Sequence, residues 1–308
     1  MPQPRSPLFA IAAPVRGEAP YLLEWIAYHR ALGIEAFLLA DNGGTDGTSQ
    51  LLKELADADL VQRFDWSDRK RFQMEFYGQA LEQAKQRSVT GLFFIDVDEF
   101  LRPYPAGTQS GEFSRADAAS HRHVIAEIAR RWLSDPGIGA VALNWAIYGS
   151  SGRTEPGDGL VIERFRRRAL QTFPVNRHAK AFVRVTACAG PADNPHAVLL
   201  RAGRYTDSRG DDVVWDTTTG FAAGITAKVI WDVLRVDHFI VKSRQEFAAK
   251  SARGTLGPAE PDWDRYFDLH NRNDVEDPVL PELIDRTKTE LAKIASRLDP
   301  FSRGLASN

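Results

Sequence analysis

The chain has 308 residues, room for one large domain or two modest ones. Hydrophobic residues make up 43% and charged residues 26%, and the net charge of −2 excludes a nucleic-acid partner held by bulk electrostatics. The one cysteine, Cys188, excludes an internal disulfide, fits a reducing compartment, and has no Cys or His nearby at zinc-ligand spacing.

Residues 8–13 read as a buried strand, too short to span a bilayer. Arg5 alone precedes it and Arg16 and Glu18 follow, so it does not read as a signal peptide. No apolar run of about 18 residues occurs elsewhere, which predicts a cytoplasmic protein with at most peripheral contact to the inner face of a membrane. Residues 18–32 read as an amphipathic helix carrying Leu22, Leu23, Ile26, Ala27 and Leu32, with Gly33 as its stop. A second strand over 35–40 ends in the turn-rich run from Asp41 to Thr48. A helix over 48–57, a strand over 59–64, a helix over 71–88 and a strand over 91–96 follow. Strands alternating with helices imply parallel βαβ units in a doubly wound sheet.

Beyond residue 96 the order is less regular and predicts a mixed part of the sheet. Residues 103–120 are rich in Pro, Gly and Ser and read as a loop. A helix over 121–134 and strands over 138–147, 159–166, 179–187 and 197–202 come next. A mobile loop is expected over 205–220, a strand over 229–237, and helices over 243–252 and 281–297. The last carries Leu283, Ile284, Leu291 and Ile294 on one side, for packing on the core or on a partner. The expected division is one domain over 1–275 and a helical extension over 276–308.

The run from Gly91 to Leu101 is the most informative. Four apolar residues precede Asp96, Asp98 and Glu99, three carboxylates in four positions whose repulsion calls for a cation. Residues two apart in extended chain face one side, so Asp96 and Asp98 could share a hard metal, Mg²⁺ or Mn²⁺, with diphosphate oxygens completing its shell. The alternative is a strand end with solvated acids. Ligands of doubly wound sheets bind outside the carboxyl ends of the strands. The segments Pro14 to Glu18, Asp41 to Thr48 and Asp96 to Glu99 all lie at such ends. Asp41, Asn42 and Asp46 could take ribose hydroxyls or the edge of a base, or simply form a βα turn with Thr45 or Asp46 as helix cap. Neither a Rossmann glycine motif nor a Walker lysine is present. Asp237-His238 follows another strand; the imidazole could bind Mn²⁺ and Lys242 a phosphate, or the histidine could be satisfied by a neighbouring backbone group. Trp145, Tyr148, Gly149 and Ser150 form an aromatic, glycine-rich corner suited to an acceptor sugar, or an ordinary strand-end turn. Arg164, Arg166, Arg167 and Arg168 are a basic run, solvated or facing an anionic substrate.

Together these segments resemble glycosyltransferases of the GT-A fold, in the family-2-like bacterial branch related to the domain of unknown function 23. The resemblance rests on Tyr21 to Gly33, Asp41 to Thr48, Phe94 to Phe100, and His238 to Ser243 with Phe247, Lys250, Arg253 and Gly254; weaker matches are Trp145 to Gly152 and Lys180 to Arg184. It implies a Rossmann-like α/β fold with a mostly parallel central sheet and a mixed C-terminal part. It also implies a nucleotide-sugar donor, usually a UDP-sugar, and Mn²⁺ or Mg²⁺ held by Asp96, Asp98 and His238. Pro14, Arg16, Glu18, Asp41, Asn42, Asp46, Asp96, Val97 and Lys242 are the expected donor-binding residues, and Glu24 lies in a helix the family marks strongly. One departure is visible: where the family has Lys-Asn-Glu after the first strand, Arg16 and Glu18 keep the charges but Gly17 replaces the asparagine.

An inverting transferase needs a base within reach of the acceptor hydroxyl. Glu163, Asp193 and Asp216 are the candidates. Glu163 is preferred because a strand between the aromatic corner and the arginine run would border the acceptor site. The expected function is transfer of a sugar to a carbohydrate or lipid-linked acceptor. The alternatives are a nucleotidyltransferase, disfavoured because Pro14 to Ala19 holds only one glycine and one arginine, and a non-catalytic carbohydrate-binding protein of the same fold.

Overall fold

The computed structural model describes residues 8–67, 69–104, 123–220, 222–254 and 261–299. The first half is a regular alternation. Strand β1 (Leu8–Val15) is apolar throughout and buried on both faces, as a central parallel strand must be. Helix α1 (Ala19–Ala31) starts with a proline in its first turn and ends at Gly33, whose φ of 94° suits only glycine. Then come β2 (Ala36–Asp41), α2 (Thr48–Asp57), β3 (Gln62–Asp65), α3 (Gln73–Gln86) and β4 (Val89–Phe94). The second half holds β5 (Glu99–Tyr104), α4 (Val124–Ser134), β6 (Ile138–Ile147), a single helical turn α5 (Val161–Arg164), β7 (Arg167–Arg168), β8 (Ala179–Arg184), β9 (Cys188–Pro191), β10 (Val198–Leu200), β11 (Arg204–Thr206) and β12 (Val233–His238). The chain closes with α6 (Arg244–Ala252), α7 (Trp263–His270), β13 (Val275–Glu276) and α8 (Pro281–Ala295).

The main sheet runs β3-β2-β1-β4-β8-β6-β12-β5, with β11 beside β6. The first four strands are mutually parallel; β8 opposes both β4 and β6, β12 is parallel to β6, and β5 opposes β12. This is the parallel half with a mixed C-terminal part that the sequence predicts. Successive residues of the central strands alternate between two cores. Phe9, Ile11, Phe37, Leu39 and Phe93 face α1, α2, α4 and α8, while Ala10, Ala12, Leu38, Leu92 and Phe94 face α3. Gly91 is dictated by packing: a Cβ there would stand 2.5 Å from the ring of Phe182 on β8. Because β8 opposes both neighbours, β12 runs in the direction of β4, so His238 emerges at the same edge as the acids after β4.

Several expectations change. The predicted strand over 159–166 is the turn α5, because Glu163 at its third position closes a capping box on the backbone of Leu160. The loop expected over 205–220 contains part of β11 and a 3₁₀ turn over Thr217–Thr219, and Ser208 is buried. Strand β5 and helix α7 were not foreseen. Residues 105–122, most of the Pro/Gly/Ser-rich loop, lie outside the described residues. The C-terminal helix packs on α1, with Leu283 and Ile294 buried in the core it shares with β1. No helix among the described residues is long and apolar enough to cross a membrane.

Candidate active site

The chain leaves β4 at Phe94 and re-enters the sheet as β5 at Glu99. Between them a tight crossing is fixed by Asp96 N donating to Glu99 Oε2 at 2.8 Å and Glu99 N to Asp96 O at 3.1 Å. Ile95 and Val97 are buried, while Asp96 and Asp98 line a cleft of about 550 Å³. Pro14, Arg16, Glu18, Arg71, Gln73, Asp193, Lys250, Arg253, Trp263 and Tyr266 also line it. The strand-end acids thus face an open site where charged side chains stand among apolar and aromatic ones.

Each acid has its own partner. Asp96 Oδ2 accepts from Lys180 Nζ at 2.7 Å and Asp96 Oδ1 from Gln73 Nε2 at 3.1 Å. Asp98 Oδ2 accepts from Lys250 Nζ at 2.6 Å, and its Oδ1 is 3.4 Å from His238 Nε2. Burial disfavours the charge on Asp98, but Lys250 and His238 outweigh it and hold the carboxyl well below the usual range. Burial lowers His238, leaving the neutral imidazole. Its Nδ1 lies 3.8 Å from Glu99 Oε1, and neither atom has a hydrogen-bond partner among the described residues. Burial lifts Glu99 to about 8, against the pull of Lys180.

The expected triad of Asp96, Asp98 and His238 is not assembled. Among the described residues no three His, Cys, Asp or Glu side chains converge as a metal-binding group, because Asp96 turns to Lys180. Asp98 and His238 do face each other, with Trp145 packed edge-on against the His238 ring at 4.5 Å.

The donor-side residues separate into two groups. Pro14, Arg16, Glu18, Asp96 and Val97 line the cleft. Arg253 Nη2 donates to Glu18 Oε1 at 3.2 Å and Nη1 to Arg16 O at 3.1 Å. That contact accounts for Gly17: a Cβ there would stand 2.5 Å from Arg253 Cδ, and its φ is 65°. Asp41, Asn42 and Asp46 do not line the cleft. Asp41 accepts from Gly43 N, Ser49 Oγ and both Arg63 Nε and Nη2; Asn42 donates to Trp66 O and Arg69 O; Asp46 accepts from Ala19 N, Thr48 N and Thr48 Oγ1. They build the turn. Lys242 is buried beside the cleft, its Nζ 4.2 Å from the Tyr21 ring centroid.

On the acceptor side the expected residues are covered by other parts of the chain. Tyr148 is 1% exposed, its hydroxyl donating to Asp277 O at 2.8 Å and accepting from Arg102 Nη1 at 2.7 Å, so it cannot meet a substrate. Gly149 and Ser150 are covered by residues 271–273: a Cβ on Gly149 would strike Arg272 O, and Ser150 N donates to Asn271 Oδ1. Trp145 is buried among His178, His196 and His238. Glu163 accepts from Lys288 Nζ at 2.6 Å and does not line the cleft; its salt bridge and the Leu160 N–H hold its carboxyl down against burial, the opposite of what a base needs. Asp216 is likewise taken, by Arg177 Nη1 at 2.6 Å. Of the three candidate bases only Asp193, on the turn between β9 and β10, is exposed in the cleft. The arginine run is largely internal: Arg164 pairs with Glu246 and Arg168 with Asp277, while Arg166 is exposed against Glu276. Glu24 accepts from Val161 N and Ile162 N, a buried anchor for α5, and burial lifts its carboxyl to about 7.

Arg71, Gln73, Trp263 and Tyr266 were not foreseen as site residues, while Glu99 entered only as part of the acid cluster and Lys180 only as part of a weak family match. A signal for the aromatic pair was present: Trp263, Tyr266, Phe267 and His270 recur at helical spacing behind Asp262, which caps α7 by accepting from Arg265 N at 3.1 Å.

Comparison with known proteins bears on the N-terminal part of the chain. Residues 12–136 match the sequence profile of Glycosyltransferase family 92. A glycosyltransferase family 92 protein of Oryza sativa subsp. japonica is 29% identical over 142 residues, 46% of this chain and 21% of that protein. One from Arabidopsis thaliana is 27% identical over 147 residues, 47% of this chain and 24% of that protein. The chain therefore spans about a fifth to a quarter of these relatives' length. Among solved structures, S. aureus TarS 1-349 in complex with UDP-GlcNAc is 11% identical, with a TM-score of 0.38 over 97% of this chain and 83% of that one. The sequence likeness to glycosyltransferase family 92 runs from β1 to α4, the segment that supplies Asp96 and Asp98.

Proposed function

We propose that the chain transfers a sugar from a nucleoside-diphosphate sugar, a UDP-sugar first, to a hydroxyl of a carbohydrate or lipid-linked acceptor, with Mn²⁺ or Mg²⁺ as cofactor. The observation that carries the reading is the Asp96–Asp98 crossing at the carboxyl edge of the sheet, opening on a cleft with Arg16, Arg71, Lys250 and Arg253 around it. Such a site suits a diphosphate, whose charge grows as it leaves. Asp98 and His238 would hold the cation: a hard oxygen and a neutral imidazole 3.4 Å apart suit either ion, with phosphate oxygens and water in the remaining positions. When bound, that ion neutralises charge developing on the leaving diphosphate. Glu99 Oε1 lies 3.8 Å behind His238 Nδ1, too far for a hydrogen bond, and Trp145 packed against the ring at 4.5 Å holds Nε2 toward Asp98. Asp96, held by Lys180 at 2.7 Å, presents its carboxylate to the donor. Asp193 is the base for an inverting attack. Trp263 and Tyr266 supply the aromatic wall for a sugar ring that Trp145 and Tyr148 cannot.

Calorimetric titration with UDP, GDP, CDP and dTDP, each with and without Mn²⁺, tests the reading. Metal-dependent binding of one nucleotide supports it and names the donor class. Absence of metal-dependent binding for all four, together with no product from the matching nucleotide sugars, overturns it.

A further inference from the structure

Asp96 and Asp98 each already hold a lysine of the chain's own, and the two lysines differ. Lys180 belongs to the central strand β8, its side chain is fully buried, and a second carboxylate, Glu99, places Oε2 3.4 Å from its Nζ as an ion pair. Lys250 stands on the surface helix α6, and its side chain is 27% exposed. Its Nζ donates to Asp98 Oδ2 at 2.6 Å and to Ile240 O at 3.0 Å. Asp98, by contrast, is the carboxylate that faces His238. A divalent ion held by Asp98 and His238 would share that carboxylate with the Lys250 ammonium, and two cations on one buried carboxylate repel.

We propose, on the basis of the metal-assisted reading above, that Lys250 is a resident counter-ion competing with the divalent metal for Asp98. The empty cleft therefore binds metal weakly. A diphosphate provides another acceptor for the ammonium, which the four-carbon stem of Lys250 can reach from its position on the cleft wall. Metal and diphosphate then bind together, and a metal ion alone is turned away. Lys180 cannot make the same exchange, since it is locked inside the sheet between Asp96 and Glu99.

The test is Mn²⁺ binding, followed by the electron paramagnetic resonance signal of the free ion, without and with saturating UDP as diphosphate probe. The proteins are wild type, Lys250→Met, Lys250→Gln, the double variant Lys250→Met/Asp98→Asn, and Arg71→Met as a control for loss of a cleft charge away from Asp98. In the absence of nucleotide, Lys250→Met should bind Mn²⁺ roughly tenfold or more tightly than wild type, the scale of one charge-assisted hydrogen bond removed from competition. The double variant should lose that gain, Arg71→Met should show little of it, and UDP should raise Mn²⁺ affinity more in wild type than in Lys250→Met. If Lys250→Met misfolds in a thermal melt, Lys250→Gln gives the same readout. Unchanged or weaker Mn²⁺ binding by the lysine variants, with UDP-dependent Mn²⁺ binding intact in wild type, overturns the counter-ion and leaves the metal-assisted reading standing. An equal gain from Arg71→Met also overturns it, reducing the effect to general charge. No Mn²⁺ binding by any protein, even with each nucleoside diphosphate tested, overturns both.

Discussion

Asp237 and His238 are neighbours on β12, yet the strand alternation sends them into two different charged environments. Asp237 points inward. It accepts from Arg235 Nε at 2.6 Å and Arg102 Nη1 at 3.0 Å, in a cluster completed by Asp277, Arg168 and the Tyr148 hydroxyl. Every side chain there is under a tenth exposed, and Arg235 also lies over the rings of Tyr104 and Trp231. His238 points to the cleft, where Asp98 shares itself between a lysine and an imidazole, and where polar atoms of Glu99 and His238 lack partners. Charge density therefore does not distinguish structure from function here. The interior cluster is sealed from solvent, although Arg235 Nη1 there also lacks a hydrogen-bond partner among the described residues, and it ties the C-terminal segment to the sheet; the cleft cluster is open on one side.

Removing one carboxylate from each cluster should separate these roles. Asp98→Asn should lower turnover by roughly 10³-fold, the scale of losing a main source of leaving-group stabilisation, with little change in melting temperature. Lys250 would lose its carboxylate partner but keeps Ile240 O and can turn to water in the cleft. Steady-state kinetics and a thermal melt check it; a melt that collapses would mean that Asp98 belongs with the structural acids. Asp277→Asn should do the reverse. It removes a carboxylate shared by Arg102, Arg168 and Arg235 and should cost about 3–5 kcal/mol in urea unfolding, as expected for breaking a buried network on one side. The folded fraction should still bind nucleotide. A loss below about 1 kcal/mol would show that the cluster does not hold the C-terminal segment in place.

Glu24 is a third case, a buried acid that among the described residues has no ion-pair partner and accepts from the two N–H groups of α5. Burial raises its folded-state carboxyl from 4.5 to about 7. The folded protein thus holds more protons than the unfolded chain between those values, and Glu24's share of stability falls as pH rises through that window. The group contributes at most about 3 kcal/mol to that decline. Urea midpoints from pH 5 to pH 8 check it: the decline should be shallower in Glu24→Gln than in wild type. Parallel curves would show that Glu24 does not titrate there.

The parallel half of the fold was legible because its signals are local and agree: buried apolar runs, Gly33 as helix stop, and polar clusters at strand ends. Asp96 and Asp98 were legible for the same reason. The acceptor side was not. Tyr148 and Gly149 read as an accessible corner until residues 271–273 and Asp277, far along the chain, close over them. Glu163 looked like a residue on a strand because nothing nearby shows that Glu24 caps the turn and Lys288 takes its oxygen. Asp41 and Asp46 have the composition of a ligand-binding turn, but Arg63 and the backbone of Ala19 claim their oxygens. In each case the deciding partner is tens of residues or more away and carries no signature at the site itself.

The same comparison ranks the candidate bases. Asp193 faces the cleft and, among the described residues, accepts only from Asn194 Nδ2 at 2.8 Å, whereas Glu163 is held in a capping box and a salt bridge. Asp193→Asn should lower kcat by roughly 10²-fold with donor binding unchanged, the scale of losing general-base help. Glu163→Gln should stay within about twofold, as a change remote from the cleft does. The opposite ranking would return the acceptor to the side of the molecule where Glu163 sits.

The smallest effect concerns the wall across from the acids. Trp263 is half-buried, packed edge-on against Phe247 and Tyr266, and it lines the cleft with Tyr266. An aromatic face beside two carboxylates suits a sugar ring, whose C–H groups meet the ring while its hydroxyls reach polar partners. Trp263→Ala should therefore raise KM for the acceptor by roughly tenfold, leave nucleotide affinity in place and change kcat little, the pattern of a contact made equally before and during reaction. Trp263→Phe should recover most of the loss, because it restores the aromatic face without the indole N–H. If both variants weaken nucleotide binding instead, this wall belongs to the donor, and the acceptor must enter past Asp193 alone.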